Sequence, residues 1–192
     1  MFTRKKPSDA QINAFIVSQQ LLEFSYPEVG ATRTTPPSGY QVDHNRIRLG
    51  QGHEIYHQSI KALRKWKHFD LGWVQLHPAN APIVVGSVVA VLVHHLKFWS
   101  LNATRIVYVI DEETDVKKFG FAYGTLPNHA ESGEERFSIE WHTSDDSVWY
   151  DILAFSRPNK AAAKLGLPIT RMLQRRFARD SLEVMLKYFA SL

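Results

Sequence analysis

Apolar and polar positions repeat along this chain with two different periods, and the period changes near residue 70. Before that point, helical spacing predicts one helix over residues 8–22 and a second over 53–66. Ser8 and Gln11 have the spacing of a capping box at the start of the first helix. A strand is predicted at 40–49, after a turn-rich segment, Thr-Thr-Pro-Pro-Ser-Gly.

From residue 73 onward the two-residue period of β-strands prevails. A short strand is predicted at 73–77, and five more at 88–98, 104–111, 119–126, 135–142 and 148–156. The turns between these five strands are short and polar, so neighbours in sequence pair as antiparallel hairpins, because a parallel return needs a crossover. A last helix is predicted over most of 168–192, with Pro168 in its first turn.

This order of elements predicts an α+β fold of the helix-grip type. A curved antiparallel sheet of about six or seven strands would wrap on a long C-terminal helix, with an extra N-terminal helix. Residues 1–192 are expected to form a single domain, with 1–39 as an N-terminal helix and loop extension. One face of such a sheet receives the helix, and a cavity often remains between the two.

Composition narrows the chemistry. The 192 residues include no cysteine, which excludes disulfides, thiolate nucleophiles and cysteine-ligated metals. The formal net charge of +4 is mild and does not favour nucleic acid as a partner. The basic N-terminus is followed by polar residues, and no apolar stretch is long enough to span a membrane. We therefore expect a cytoplasmic protein without a transmembrane segment.

The second predicted helix carries a literal H-E-x-x-H sequence, formed by His53, Glu54 and His57. A zinc hydrolase needs two imidazoles one turn apart, a glutamate base and a third ligand, and positions 60 and 63 hold Ile and Leu instead. His94 and His95 are adjacent in a strand and therefore point to opposite faces. We predict no metal and no cofactor, and ordinary histidines at a helix edge.

The hairpin that follows strand 119–126 is rich in polar groups. Tyr123, Thr125, His129 and Glu134 could donate, accept or exchange protons at a cavity mouth, or they belong to a solvated turn. Within the strand, three aromatic residues alternate with Gly120, Ala122 and Gly124. The small-residue face would let the terminal helix or a ligand approach the backbone closely.

The terminal helix carries charges on and beside its apolar stripe. Arg176 and Asp180 lie one turn apart on that stripe, either as an ion pair at the rim of the core, which we favour, or as the lining of a polar cavity. Arg171, Arg175 and Arg179 share another face, which is either solvated or meets an anionic partner.

Four stretches resemble an uncharacterised family of bacterial and plant domains of unknown function. They are 24–33 (FSYPEVGATR), 63–74 (LRKWKHFDLGWV), 119–137 (FGFAYGTLPNHAESGEERF) and 148–158 (VWYDILAFSRP), and QRRF at 174–177 belongs to the same pattern. That family is grouped with the START-like (SRPBCC) helix-grip superfamily, so the resemblance implies a cavity for apolar molecules. It brings no established catalytic residues, and the H-E-x-x-H sequence lies outside its pattern. The pattern is matched at Tyr123, Gly124, Thr125, Pro127, Glu134, Glu135, Arg157 and Arg176.

The sequence leaves three functions open. The leading hypothesis is a binding module that holds a small or medium apolar ligand, lipid-like or an aromatic metabolite, with a polar end. The second is an enzyme that uses His129, Tyr123 or Glu134 as general acid or base. The third is an interaction module for an anionic partner.

Arg157 either neutralises an acidic ligand group or caps the sheet edge. The residues predicted to contact the ligand are Phe121, Tyr123, Thr125, His129, Glu134, Trp141, Trp149, Arg157 and Arg176.

Overall fold

The computed structural model describes residues 2–95, 97–159 and 167–190. Its helices are α1 (Asp9–Gln19), α2 (His53–Arg64) and α3 (Leu167–Ala190). Its strands are β1 (Phe2–Thr3), β2 (Gln41–Gln51), β3 (Val74–His77), β4 (Val88–His95), β5 (Phe98–Glu112), β6 (Val116–Thr125), β7 (Glu131–His142) and β8 (Ser147–Pro158). Short 3-10 turns lie at Ala31–Arg33 and Lys67–Phe69.

The eight strands form one antiparallel sheet. Its order is β2-β8-β7-β6-β5-β4-β3, and β1 pairs with β5. Strands β4 to β8 follow one another across the sheet, as their short connections predict. β3 pairs with β4 at one edge, and β2 closes the far edge by pairing with β8. The predicted α+β fold is confirmed, with β1 added to the seven strands that the sequence pattern shows.

Several boundaries differ from the predicted ones. The strand predicted at 88–98 is divided, because β4 ends at His95 and β5 begins at Phe98. β7 begins at Glu131 rather than 135, since its pairing with β8 continues as far as Pro158 and draws a polar segment into the sheet. Positions 96, 191 and 192, which the predicted elements include, lie outside the described residues.

Local sequence explains where α1 begins and which face it buries. The Gln11 backbone N–H donates to Ser8 Oγ at 3.3 Å, and the Ser8 N–H donates to Gln11 Oε1 at 2.9 Å, so the predicted capping box is present. Ile12 and Ile16 pack on side chains of β4 and β5, at the outer face of the sheet. No helix within the described residues is long and apolar enough to cross a membrane.

The main core lies on the inner, concave face of the sheet. Phe119, Phe121 and Tyr123 of β6 all belong to it, as the alternation at 119–124 predicts. Phe137 and Tyr150, from the next two strands, are completely buried beside them. Each fully buried aromatic side chain contributes about 1.5–3 kcal/mol relative to an exposed one. The helices α2 and α3 cover this face, with α3 over the strands nearest β2.

Candidate ligand-binding cavity

A cavity of about 440 Å³ lies between the inner face of the sheet and α3. Its apolar wall includes Phe69, Trp73, Val91, Ile152 and Phe177. Its polar groups come mainly from the ends of β6 and β7 and the loop between them, and include Tyr123, Thr125, His129, Glu131 and Glu135. A mostly apolar wall with a few grouped polar side chains is typical of small-molecule sites.

Polar contacts hold the N-terminal part of α3 against the sheet. Arg171 donates from both terminal nitrogens to the carboxylate of Asp43 on β2. One turn further on, Gln174 Nε2 donates to Ser156 Oγ on β8 at 2.9 Å. A bidentate arginine–carboxylate pair fixes orientation as well as distance. The helix is therefore anchored to the two strands at this edge of the sheet.

Two of the three β7 glutamates in the cavity wall have side chains on the inner face of the sheet. Glu131 and Glu135 are on the same face because side chains alternate along a strand, and Gly133 lies between them. Burial raises the pKa of Glu131 to about 7, against the opposing effects of the Ser156 hydroxyl and Arg171. Burial also raises the pKa of Glu135 to about 7, with a further rise from Asp43. Both carboxyl groups therefore change protonation near neutral pH.

Tyr123 and His129 supply the neutral polar groups of the cavity. Tyr123 Oη donates to Glu135 Oε2 at 2.7 Å, and burial raises the pKa of this tyrosine well above its usual value, so the hydroxyl stays protonated. The Glu131 backbone N–H donates to His129 Nδ1 at 2.9 Å. Burial lowers the pKa of His129 to about 4, so the ring is neutral at pH 7.

Four of the nine predicted ligand residues lie in the cavity wall: Tyr123, Thr125, His129 and Glu134. The Thr125 hydroxyl is already bonded, since it accepts from the Gly133 N–H at 2.9 Å and lies 2.6 Å from the Ser25 hydroxyl. Glu134 borders the cavity, but its carboxylate does not face it.

The carboxylate of Glu134 binds the chain's own N-terminal segment on the outer face of the sheet. Glu134 Oε2 accepts from Tyr26 Oη and from the Gly30 N–H, both at 2.7 Å. Glu134 Oε1 accepts from the Thr32 N–H at 3.0 Å and from the Thr32 hydroxyl. We call residues 24–33 the N-terminal clasp. The prediction that Glu134 orients a ligand is corrected here, because this side chain and that of Glu135 point to opposite faces.

One of the small residues of β6, Gly124, receives the same clasp. A Cβ atom built on Gly124 would lie 2.1 Å from Tyr26 Oη and 2.9 Å from the Phe24 ring. The close approach that this small-residue face predicts is therefore real, but the approaching group is the N-terminal clasp rather than the terminal helix or a ligand.

Three aromatic residues predicted as ligand contacts are used elsewhere. Phe121 is completely buried in the core, with its ring centroid 4.9 Å from that of Trp66. Trp141 donates from Nε1 to Asp146 Oδ1 at 2.8 Å, near the first turn of α2. Trp149 lies beneath the guanidinium of an arginine of β2, 4.5 Å from the ring centroid. Alternation along β8 already places Trp149 on the outer face, opposite Tyr150 and Ile152. For Phe121 and Trp141, strand alternation alone does not tell which inward positions pack and which border a void.

The two predicted arginine contacts also lie outside the wall. The Arg157 guanidinium is 4.7 Å from the ring centroid of Tyr40, and the residue is exposed. Arg176 lies 4.3 Å above the Trp73 ring and 3.3 Å from Asp180, which also accepts from Trp73 Nε1 at 2.9 Å. The favoured interpretation of the Arg176–Asp180 pair, an ion pair at the rim of the core, agrees with this geometry.

The other arginines of α3 do not form a uniform charged face. Arg171 is paired with Asp43, and Arg179 donates from Nε and Nη2 to Asp180 Oδ1. Arg175 and Arg179 border the cavity with exposed side chains. The hypothesis of an anionic macromolecular partner therefore loses part of the charge on which it depends.

The H-E-x-x-H sequence lies at the start of α2, away from the cavity. The rings of His53 and His57 are 4.1 Å apart and exposed, and Glu54 Oε1 accepts from Gln58 Nε2 at 2.6 Å. His94 stacks on the Trp99 ring at 4.5 Å. Within the part of the chain that the structure describes, no three His, Asp or Glu side chains are grouped to hold a metal ion.

Sequence reasoning missed Glu131 and Glu135 as the acids of the cavity and selected Glu134 between them. The signal was present in the period of two, because Phe137 is an inward residue and positions 135, 133 and 131 share its face. The predicted start of the strand at 135 left the four preceding residues, 131–134, out of that pattern.

A curved antiparallel sheet that holds a C-terminal helix over a cavity defines a helix-grip protein. Among solved structures, the chain is similar to hypothetical protein jhp0584 from Helicobacter pylori, with a TM-score of 0.52 and 11% identity, over 86% of this chain and 95% of that one. The likeness extends to the fold alone.

The family model described as domain of unknown function DUF1990 matches residues 25–184, and the chain belongs to that family. A UPF0548 protein of Dictyostelium discoideum is 39% identical, over 100% of this chain and 97% of its own length. A UPF0548 protein of Arabidopsis thaliana is 38% identical, over 78% of this chain and 74% of its own. The resemblance drawn from four sequence stretches is thus confirmed, including the relation to helix-grip folds.

Proposed function

We propose that this protein binds a small or medium apolar molecule with a polar end in the cavity beneath α3. The observation that carries the proposal is the cavity itself, whose volume of about 440 Å³ is within the range of small-ligand sites, roughly 300–1,000 Å³. Aromatic and aliphatic side chains on both sheet and helix would cover the apolar part of the ligand. Tyr123, His129, Glu131 and Glu135 would orient its polar end.

A second candidate function is proton-transfer catalysis in the same cavity. The observation in its favour is the position of two carboxyl groups whose pKa values burial raises to about 7, which suits a general acid or base at neutral pH. The Tyr123 hydroxyl, bonded to Glu135, would share in such a step. In this candidate function the acids are Glu131 and Glu135, which share the inner face of the sheet. They take the place of Glu134, whose carboxylate binds the N-terminal clasp.

The test of the binding proposal begins with native mass spectrometry of freshly purified protein, followed by denaturing extraction. Binding is then measured through the emission of N-phenyl-1-naphthylamine, a neutral fluorophore. Ala154→Trp would fill the space beneath α3. Leu153→Trp, on the adjacent position of β8 and therefore on the outer face, is the matched control.

We expect the fluorophore to bind the unchanged protein and Leu153→Trp, and to bind Ala154→Trp at least about tenfold more weakly, since filling a pocket removes the contacts that hold the ligand. Equal affinity of all three proteins would place the binding elsewhere and refute the proposal. Turnover of a bound compound, detected by a change in its mass, would favour the catalytic candidate.

A further inference from the structure

The distribution of charge around the cavity differs between its interior and its rim. Glu131 is only 8% exposed, and Glu135 is partly buried on the same face of β7. The guanidinium-bearing residues that border the cavity, Arg175 and Arg179, have exposed side chains. Among the described residues of the cavity wall, the carboxyl groups of Glu131 and Glu135 are therefore shielded from solvent, whereas the guanidinium-bearing side chains are exposed.

No cation of the described residues satisfies Glu135. The groups that face it are the Tyr123 hydroxyl on β6, the Tyr150 ring on β8 and the carboxylate of Asp43 on β2. The positive charge near Asp43 belongs to Arg171, and both terminal nitrogens of that side chain are bonded to Asp43. A carboxylate in this position is stabilised by one hydrogen bond and opposed by a neighbouring negative charge.

Glu131 is in a different situation. The Ser156 hydroxyl donates to it from β8, Arg171 on α3 lowers its pKa, and the neutral ring of His129 lies beside it in the preceding loop. Its charge is therefore partly compensated by the protein. Glu131 and Glu135 are four residues apart on one strand, so their Cα atoms are separated by roughly 13 Å. This distance is too large for both carboxyl groups to bind one ammonium group unless the binding site distorts.

We infer that the polar end of the ligand is a protonated amine and that Glu135 is its acceptor. This inference rests on the proposed binding function and names the chemical class of the ligand. An ammonium group supplies the missing positive charge at Glu135 and donates to the carboxylate oxygens, while Tyr123 holds the carboxylate in place. The apolar body of the ligand then lies along Phe69, Trp73 and Ile152.

A neutral alternative is available, since a protonated Glu135 could donate to an alcohol or carbonyl oxygen. The two cases differ in their pH dependence. Because the pKa of Glu135 is about 7 in the free protein, raising the pH from 6 to 8 converts it to the carboxylate that an ammonium group needs. The preference for an amine should rise by up to about tenfold over this range, whereas the affinity for an alcohol should not rise.

The experiment compares three head groups on one apolar chain: octylammonium, octanol and octanoate, each as a competitor of N-phenyl-1-naphthylamine. At pH 8 we expect octylammonium to bind at least about tenfold more tightly than octanol, because hydrogen bonds to a charged group are the stronger ones. Octanoate should bind most weakly. Glu135→Gln should abolish the preference for the amine. Glu112→Gln, which removes an exposed carboxylate at the end of β5, is the matched control and should retain it.

The outcomes separate this inference from the proposal on which it rests. If octanol or octanoate binds as tightly as octylammonium at pH 8, the amine inference is wrong and the binding function stands. If Glu135→Gln keeps the preference, Glu135 is not the acceptor. If the fluorophore and all three competitors fail to bind the unchanged protein, the binding function and the inference both fail. The comparison on the unchanged protein does not depend on the folding of any variant.

Discussion

Removal of the Glu134 carboxylate is the sharpest test of how this chain holds its N-terminal segment. Glu134 is 2% exposed, and its two oxygens accept four hydrogen bonds from three residues, Tyr26, Gly30 and Thr32. In the variant Glu134→Ala, the backbone N–H groups of Gly30 and Thr32 and the two hydroxyl groups lose their acceptor together. These contacts connect the N-terminal clasp to the middle of the sheet, so their loss should release the clasp.

The size of the effect follows from the number and kind of these bonds. A hydrogen bond to a charged group contributes about 1.5–3 kcal/mol, but four bonds to one carboxylate are not additive. Loss of one partner from a buried charged network typically costs about 3–5 kcal/mol. Some of the freed donors would reach water as the clasp loosens, so we expect a loss of about 3–4 kcal/mol in the free energy of unfolding. For a chain of this length, that lowers the Tm by about 6–16 °C.

Urea denaturation and amide hydrogen exchange measure the two parts of this prediction. The unfolding midpoint should fall, and the amides of Gly30 and Thr32 should exchange faster than those of the β6–β7 core. Glu112→Ala is the control, since it makes the same substitution at an exposed strand position, and its effect should remain within about 0.5 kcal/mol. An unchanged midpoint, with Gly30 and Thr32 still protected from exchange, would refute the reasoning.

Three further predictions concern stability. Gly124→Ala should destabilise the protein by about 1–3 kcal/mol and loosen the clasp, because the added Cβ would lie 2.1 Å from Tyr26 Oη. Unchanged amide hydrogen exchange in the clasp would contradict this prediction. Glu135→Gln should stabilise the protein by about 1–3 kcal/mol at pH 8 and have little effect at pH 4. Because the pKa of Glu135 in the folded state is about 7, the folded protein binds more protons than the unfolded chain between roughly pH 4.5 and 7, and stability is lost as pH rises through this window. Equal destabilisation by Glu135→Gln at both pH values would show instead that the side chain is needed for packing. Ser8→Ala should cost about 1 kcal/mol, seen as fraying of α1 in its amide exchange, and an α1 that exchanges as before would argue against the capping box.

Short-range pattern determined most of the architecture. The period of two over 88–156, broken by polar turns, specifies hairpins because such connections permit no other pairing, and this is the order that β4 to β8 follow. The capping residues placed the start of α1, and the alternation in β6 assigned Phe119, Phe121 and Tyr123 to the core. These features depend on neighbours within a few residues, which a sequence displays directly.

The cavity was decided by contacts that are distant in the chain. Whether Glu131 faces the cavity depends on how far β7 extends along β8, and that pairing joins Glu131 to Pro158. Whether Phe121 packs or borders a void depends on where α3 lies, which the pairing of Arg171 with Asp43, 128 positions away, helps to fix. The partner of Glu134 is a segment about a hundred residues upstream. The sequence alone therefore determined the elements and their order, because these arise from local periodicity. Only the tertiary structure decided which polar side chains meet a cavity and which meet the chain itself, because burial and pairing across the sheet are set by the assembled molecule.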